Sequence, residues 1–237
     1  MKKILGVIGG MGSVAAVDTM QRLVEMQKAA TDQDYIEIVL HNNPLVPDRT
    51  AKILGQGPSP LPELLRSVEI CNDAGADFIL IACMSAHHYV QDMQPMSRAV
   101  IIDGVAETVA HIRSTLPAVR RVGVLATTGN LQCELYQRQL VAADLEPVIF
   151  APDEQQELFM DAVYAPWGIK AGYVTGMPRE RLVMGAARLV ELGAEVVIGG
   201  CTEVQVVLGD DDVVVPLVNS VDVLCRVAIE RCGGTLR

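Results

Sequence analysis

A chain of 237 residues, half of them apolar but only 4% aromatic, can bury one large core or two smaller ones, with Ala, Val, Ile and Leu carrying the packing. A formal net charge of -10 excludes a surface built to neutralise phosphates, and no Lys/Arg cluster supplies a local basic groove, so no nucleic-acid partner is expected. No apolar run approaches the roughly 20 residues that a membrane span needs, and the stretch after Lys2 and Lys3 is broken by Gly6, Gly9 and Gly10 instead of continuing as a secretory signal.

In chain order, "KILGVIGG" (3–10) predicts a strand, short and closed by glycines. "SVAAVDTMQRLVEMQKAA" (13–30) repeats apolar residues at helical spacing. "YIEIVLHN" (35–42) is a second strand, and "GQGPSPLP" (55–62) is the most loop-like stretch, rich in Gly and Pro. "DFILIAC" (77–83) and "RAVII" (98–102) follow as strands, then a helix-like segment over 103–115. Four more strands are expected at "RRVGVLAT" (120–127), "LEPVIF" (145–150), "EVVIGGC" (195–201) and "VVVPLV" (213–218), with "ERLVMGAARLVELGA" helical before the third. Strand and helix in alternation imply parallel sheets covered on both faces.

The chain also repeats itself. "GVIGGMG" begins at Gly6 and "GVLATTG" at Gly123, 117 residues on; "GADFILIAC" begins at Gly75 and "GAEVVIGGC" at Gly193, 118 residues on. A weaker third match relates Asp103 to Asn219 at a spacing of 116. Such a repeat predicts two similar α/β lobes, each ending a strand with a cysteine. We place the first lobe at residues 1–105 with about 217–237 crossing back to it, and the second at 106–216. The lobes are expected to face each other through a pseudo-twofold axis, with the active site between them.

Ligands of open parallel sheets bind beyond the carboxyl ends of the strands, where Cys83 and Cys201 both fall. Two thiols approaching one cleft from opposite sides describe stereoinversion: one removes the proton from a carbon and the other returns a proton to the opposite face. A thiol near a helix N-terminus favours its thiolate, and an acid–base group works best with its pKa near the working pH. "GGMGS" and "ATTGN" at two strand ends are suited to close backbone approach to a ligand. The six cysteines (Cys71, Cys83, Cys133, Cys201, Cys225 and Cys232) are expected to be reduced in a cytoplasmic protein, most of them as ordinary small core residues.

At these residues the chain resembles the aspartate/glutamate racemase superfamily, the pyridoxal-phosphate-independent amino-acid racemases, and its aspartate racemase branch most, essentially end to end. "GVIGGMGS" is similar to the family's opening motif, with Ser13 where proline is usual. "NNPLVPDRT" matches its Asn-Pro…Pro-Asp-Arg-Thr segment, with Asn43, Arg49 and Thr50. "LATTGN" resembles the Ala-Thr…Gly-Thr segment, with Thr127 kept and Asn130 in place of threonine; "IKAG" carries the lysine, Lys170. "GGCTEV" resembles the second catalytic motif, with Glu203 in the aspartate-type form. Where the family usually reads Cys-Asn-Thr-Ala-His, this chain reads Cys83-Met84-Ser85-Ala86-His87. Methionine cannot replace the amide that would bind the substrate α-carboxylate, whereas the Ser85 hydroxyl can still donate.

The resemblance implies Cys83 and Cys201 as proton carriers, and Met11, Gly12, Ser85, Thr127 and Thr202 around the α-carboxylate. It implies Arg49 and Lys170 on a second carboxylate or the developing charge, and Asn43, His87, Asn130 and Glu203 in support. It further implies an acidic amino acid as substrate (aspartate, then glutamate), no cofactor, no metal and a homodimer. Other readings of the residues are open. Another amino or dicarboxylic acid could be isomerised on the same fold, or the chain could bind a small acid without turning it over. "GMGSVA" (10–15) also fits a dinucleotide fingerprint, but that fingerprint expects an acidic residue at the end of the second strand, and this one ends "VLHNN". Cys83, His87, His88 and His41 could be imagined as a metal site, yet tetrahedral zinc would need a fourth ligand that the spacing does not name.

Overall fold

The computed structural model describes residues 2–237 and divides into two compact units. The first holds the chain up to Glu107 together with Val221–Arg237; the second is Thr108–Ser220. Each is built on one four-stranded, all-parallel sheet.

In the first unit the strands are β1 (Ile4–Gly9), β2 (Glu37–Asn42), β3 (Phe78–Ile81) and β4 (Val100–Ile101), in the order β2-β1-β3-β4. Side chains alternate across a strand, and here both faces are buried. Ile8, Ile79 and Ile81 pack with Leu64, Val68 and Cys71 of the helix Leu61–Asp73. Leu5, Val7, Leu80 and Ala82 pack with Leu224, Cys225, Ala228 and Ile229 of the helix Ser220–Arg231. Most of these side chains are fully buried, each contributing about 1.5–3 kcal/mol if large and aliphatic.

The second unit repeats the plan with β5 (Arg121–Leu125), β6 (Glu146–Val148), β7 (Val196–Gly199) and β8 (Leu217–Asn219), in the order β6-β5-β7-β8. Its helix Met177–Glu191 puts Leu182, Ala186 and Leu189 into one cluster with Leu125 and Val197.

The glycines explain why the two halves match. A Cβ on Gly6 would lie 2.8 Å from Cys71 Sγ, and one on Gly123 would lie 3.0 Å from Ala194 Cβ and 3.1 Å from Leu189 Cβ. Only a residue without a side chain lets the helix before each cysteine strand settle so close to the sheet. That helix ends alike in both units. Gly75 and Gly193 take left-handed backbone (φ +73° and +97°), and the Ala76 and Ala194 amides donate back to the Cys71 and Leu189 carbonyls. This is the glycine-terminated C-cap that satisfies orphan carbonyls.

All eight expected strands form, and each is shorter than its apolar run suggests. The first helix stops at Glu25, not near residue 30. Gln27 instead bridges antiparallel to Leu236, while its side chain donates to the Leu23 carbonyl and accepts from the Ile36 amide. β8 starts only at Leu217 because Pro216 has no N–H to offer a ladder; its carbonyl accepts from the Val197 amide. The loop-like stretch 55–62 also ends early, with Leu61 and Pro62 already inside the first turn of the next helix, where proline is tolerated. None of the described helices is long and apolar enough to cross a membrane.

Candidate active site

The two cysteines occupy corresponding places, each in its own unit. The Ala82 amide donates to the Ile8 carbonyl (2.9 Å), and the Gly200 amide donates to the Leu125 carbonyl (2.8 Å). These bonds extend the β3 and β7 ladders by one step, and the next residue in each case is the cysteine. Cys83 and Cys201 are both buried, and both are free thiols, as are the other four cysteines.

In the first unit the chain leaves β1 through Gly10 (φ +92°), where a Cβ would fall 2.3 Å from the Asn43 backbone. Met11 and Gly12 follow, Gly12 being the N-cap of the helix Ser13–Glu25. Arg49 is buried at the start of the short helix Arg49–Ile53, whose N-cap Asp48 accepts from the Ala51 amide (2.8 Å). Its guanidinium donates to the carbonyls of Met11 (2.6 Å), Pro47 (3.0 Å) and Val46 (3.4 Å). Arg49 therefore ties the glycine loop after β1 to the loop after β2. Asn43 is spent on that second loop: its Oδ1 accepts from the Leu45 amide (3.1 Å) and its Nδ2 donates to Glu63 Oε2 (2.9 Å).

Cys83 has extended backbone and heads the 3-10 turn Met84–Tyr89, its amide bonded to the Ile81 carbonyl (2.8 Å). His87 turns back so that its Nδ1 lies 3.0 Å from the Cys83 carbonyl, which fixes the proton on Nδ1 because a carbonyl can only accept. Burial lowers the His87 pKa against the opposing pull of Asp103 and nearby carbonyls, so the ring is neutral. Ser85 is buried beside it. Met84 points inward and is 1% exposed; its Cε lies 3.1 Å from where a Gly104 Cβ would sit. Position 84 thus packs against the start of the helix Gly104–Thr115.

In the second unit Thr127 caps the helix Thr128–Gln132, its Oγ1 accepting from the Asn130 amide (3.3 Å). The Asn130 side chain is fully buried. Gln155, which no spacing in the sequence marks, holds the β5 exit by donating to the Ala126 carbonyl (2.9 Å).

Around Cys201 the polar contacts are dense. Its Sγ donates to Glu203 Oε2 (2.9 Å), and Thr202 Oγ1 donates to the same oxygen (3.0 Å). Lys170, in the 3-10 turn Ile169–Ala171, places Nζ 3.1 Å from Glu203 Oε1 and 5.3 Å from the centre of the Tyr164 ring. Tyr164 was invisible to motif reading; a cation over an aromatic face is its role here. Burial and the Glu203 carboxylate push the Cys201 thiol well above its ordinary pKa, with Lys170 pulling the other way. Burial would raise Glu203, but Lys170 and the Cys201 and Thr202 donors outweigh it and hold the carboxylate ionised.

The expected depression of the thiol pKa is not found at Cys201, whose surroundings raise it. The sequence places it near a helix N-terminus, but the helix that follows is only Val204–Val207. One turn carries little dipole, while burial first and the Glu203 carboxylate second both favour the protonated form of Cys201.

Comparison with known proteins agrees with this architecture. The family model for the Asp/Glu/hydantoin racemases matches residues 8–228. A glutamate racemase of Corynebacterium kroppenstedtii is 31% identical over 173 residues, 65% of this chain; the match covers 55% of that relative's length. The broad specificity amino-acid racemase RacX of Bacillus subtilis is 22% identical over 231 residues, 92% of each protein. Among solved structures, the Picrophilus torridus aspartate racemase superposes with a TM-score of 0.87 at 24% identity, covering 99% of this chain and 96% of that one, which speaks for the fold. With nearly its whole length matched by the family model and the same two parallel sheets, the chain belongs to the Asp/Glu/hydantoin racemase family, a family of isomerases.

Proposed function

We propose that this protein racemises an acidic amino acid, aspartate first and glutamate second, by moving protons at Cα between Cys83 and Cys201 without a cofactor. The observation that carries the reading is the pair of equivalent ladder bonds, Ala82 to Ile8 and Gly200 to Leu125, each followed at once by a cysteine. A duplicated fold that presents a thiol at the same point of both halves has the parts for acting on two faces of one carbon.

The protonation state of Cys201 assigns the starting roles. Cys83 takes the Cα proton as base while the Cys201 S–H bond breaks and delivers its proton to the opposite face. After inversion the proton is on Cys83 and Cys201 is the thiolate; turnover of the mirror-image substrate restores the pair, as does loss of the Cys83 proton to water together with uptake of one from water by Cys201. The carbanion must be stabilised by preorganised donors. Backbone N–H groups at Met11 and Gly12 and the hydroxyls of Ser85, Thr127 and Thr202 are proposed for the α-carboxylate, with Asn130 at the head of the same helix as Thr127. Arg49 suits a second carboxylate by its fork of donors; Lys170 serves the charge that develops beside Cys201. Asn43 and His87 support the two loops that carry these groups.

The homodimer and the cytoplasmic setting belong to the same proposal; free thiols at all six cysteines fit a reducing compartment. The test is Cα–H exchange in heavy water with single enantiomers of aspartate, glutamate and neutral amino acids, followed by chiral chromatography. Deuterium uptake with appearance of the other enantiomer is expected for aspartate. Binding without exchange would make the protein a small-acid binder, and exchange confined to a non-amino acid would move the substrate class.

A further inference from the structure

Resting on the two-thiol reading above, we propose that Glu203 is a positioning residue for Cys201: clamped by Lys170 and Thr202, its carboxylate orients the S–H and makes Cys201 the resting proton donor of the pair. Glu203 Oε2 receives the Cys201 S–H at 2.9 Å and the Thr202 hydroxyl at 3.0 Å, while Oε1 faces the Lys170 ammonium at 3.1 Å. Glu203 and Thr202 are buried, and Lys170 is partly so, with its side chain 23% exposed. A carboxylate held at both oxygens cannot swing, so the S–H it accepts has one direction in which to point. No such acid exists at the matching place in the first unit, where the residue two beyond Cys83 is Ser85.

The arrangement makes the two proton carriers unequal. When Cys201 gives up its proton, a thiolate is left against a carboxylate, and the like charges oppose that state; Lys170 offsets part of the repulsion. The two charged groups acting on the thiol, Glu203 and Lys170, have opposite signs. Lys170 thereby acts on the thiol both through space and by holding Glu203, and the enantiomer deprotonated by Cys83 meets a Cys201 already carrying the proton to be delivered.

The test reads the thiol directly. The rate of iodoacetamide alkylation at the Cys201 peptide, followed by mass spectrometry against pH, gives the midpoint of thiolate formation without any turnover. Glu203→Gln, which keeps the shape and removes the charge, should lower that midpoint by at least about one pH unit, roughly tenfold more thiolate at a given pH below it. Lys170→Gln should raise it. Loss of structure cannot shift the two variants in opposite directions. An unchanged or higher midpoint in Glu203→Gln, or a lower one in Lys170→Gln, overturns the proposal. If Cα–H exchange is absent but these shifts appear, the racemase reading fails and the Glu203 contact stands as a property of the thiol alone. If exchange is present, Glu203→Gln should change the ratio of kcat values for the two enantiomers; an unchanged ratio overturns the link to catalysis.

Discussion

The ends of β3 and β7 are the same place built twice, and they carry different chemistry. Both follow a glycine-capped helix, both extend the ladder by one backbone bond, and both then present sulfur. Beyond that point Cys83 is followed by Met84, which packs inward, and by the neutral His87 ring folded onto the Cys83 carbonyl. Cys201 is followed by Thr202 and Glu203, which with Lys170 form a buried charged network around the thiol. The backbone repeat sets where a thiol stands; around Cys201, burial and the Glu203 carboxylate then raise its pKa, with Lys170 opposing them.

The largest effect should come from removing either thiol. Cys83→Ala and Cys201→Ala should each lower full inversion by about 10²–10⁴-fold, the contribution of one positioned acid or base, read by chiral chromatography. Each variant should keep proton exchange on one enantiomer only, and the two should differ in which. Equal residual behaviour in both would erase the asymmetry between the halves.

Alkaline pH should loosen both units, because thiols with raised pKa lie in each: Cys71, Cys225 and Cys232 in the first, Cys133 and Cys201 in the second. Burial pushes Cys71 and Cys232 up to about 11 and Cys225 up as well, and all three lie in the first unit. A raised thiol keeps its proton when folded and loses it when unfolded. Its stabilising contribution is therefore complete below the ordinary thiol value and declines as pH rises from about 9 toward 11. Allowing for solvent screening, no more than about 1 kcal/mol per pH unit is expected from each. Hydrogen exchange at pH 7 and pH 10, corrected for the intrinsic rate, should show protection falling around β1 and β3, and unchanged protection there would contradict this.

Gly6→Ala and Gly123→Ala should destabilise the two units to similar degrees, by about 1–3 kcal/mol, as expected for overpacking, in urea unfolding. A marked difference would mean that the Cys71 sulfur yields where the Ala194 and Leu189 side chains do not. Met84→Asn bears on the first unit alone. Restoring the family's usual amide invites an expectation of higher activity on aspartate, but at 1% exposure an unpaired amide would cost about 1–3 kcal/mol. We expect a lower urea midpoint and no gain in activity.

The strands are legible because each is a short apolar run, and the repeat is legible because Gly6, Gly75, Gly123 and Gly193 are required by close packing or left-handed backbone. Helix ends set by distant partners were not: nothing near Glu25 announces Leu236. Motif position likewise located Arg49, Lys170 and Glu203 without saying what they touch. That Arg49 spends donors on three carbonyls, and that Glu203 meets Cys201 and Lys170 at once, depends on side-chain direction, which spacing does not encode.

Because the last hydrogen bond before each sulfur joins main-chain atoms only, exchange of neighbouring side chains leaves its anchor untouched. A substitution at position 203 can therefore change what surrounds the Cys201 sulfur while the main-chain bond from Gly200 to Leu125 that anchors it stays in place.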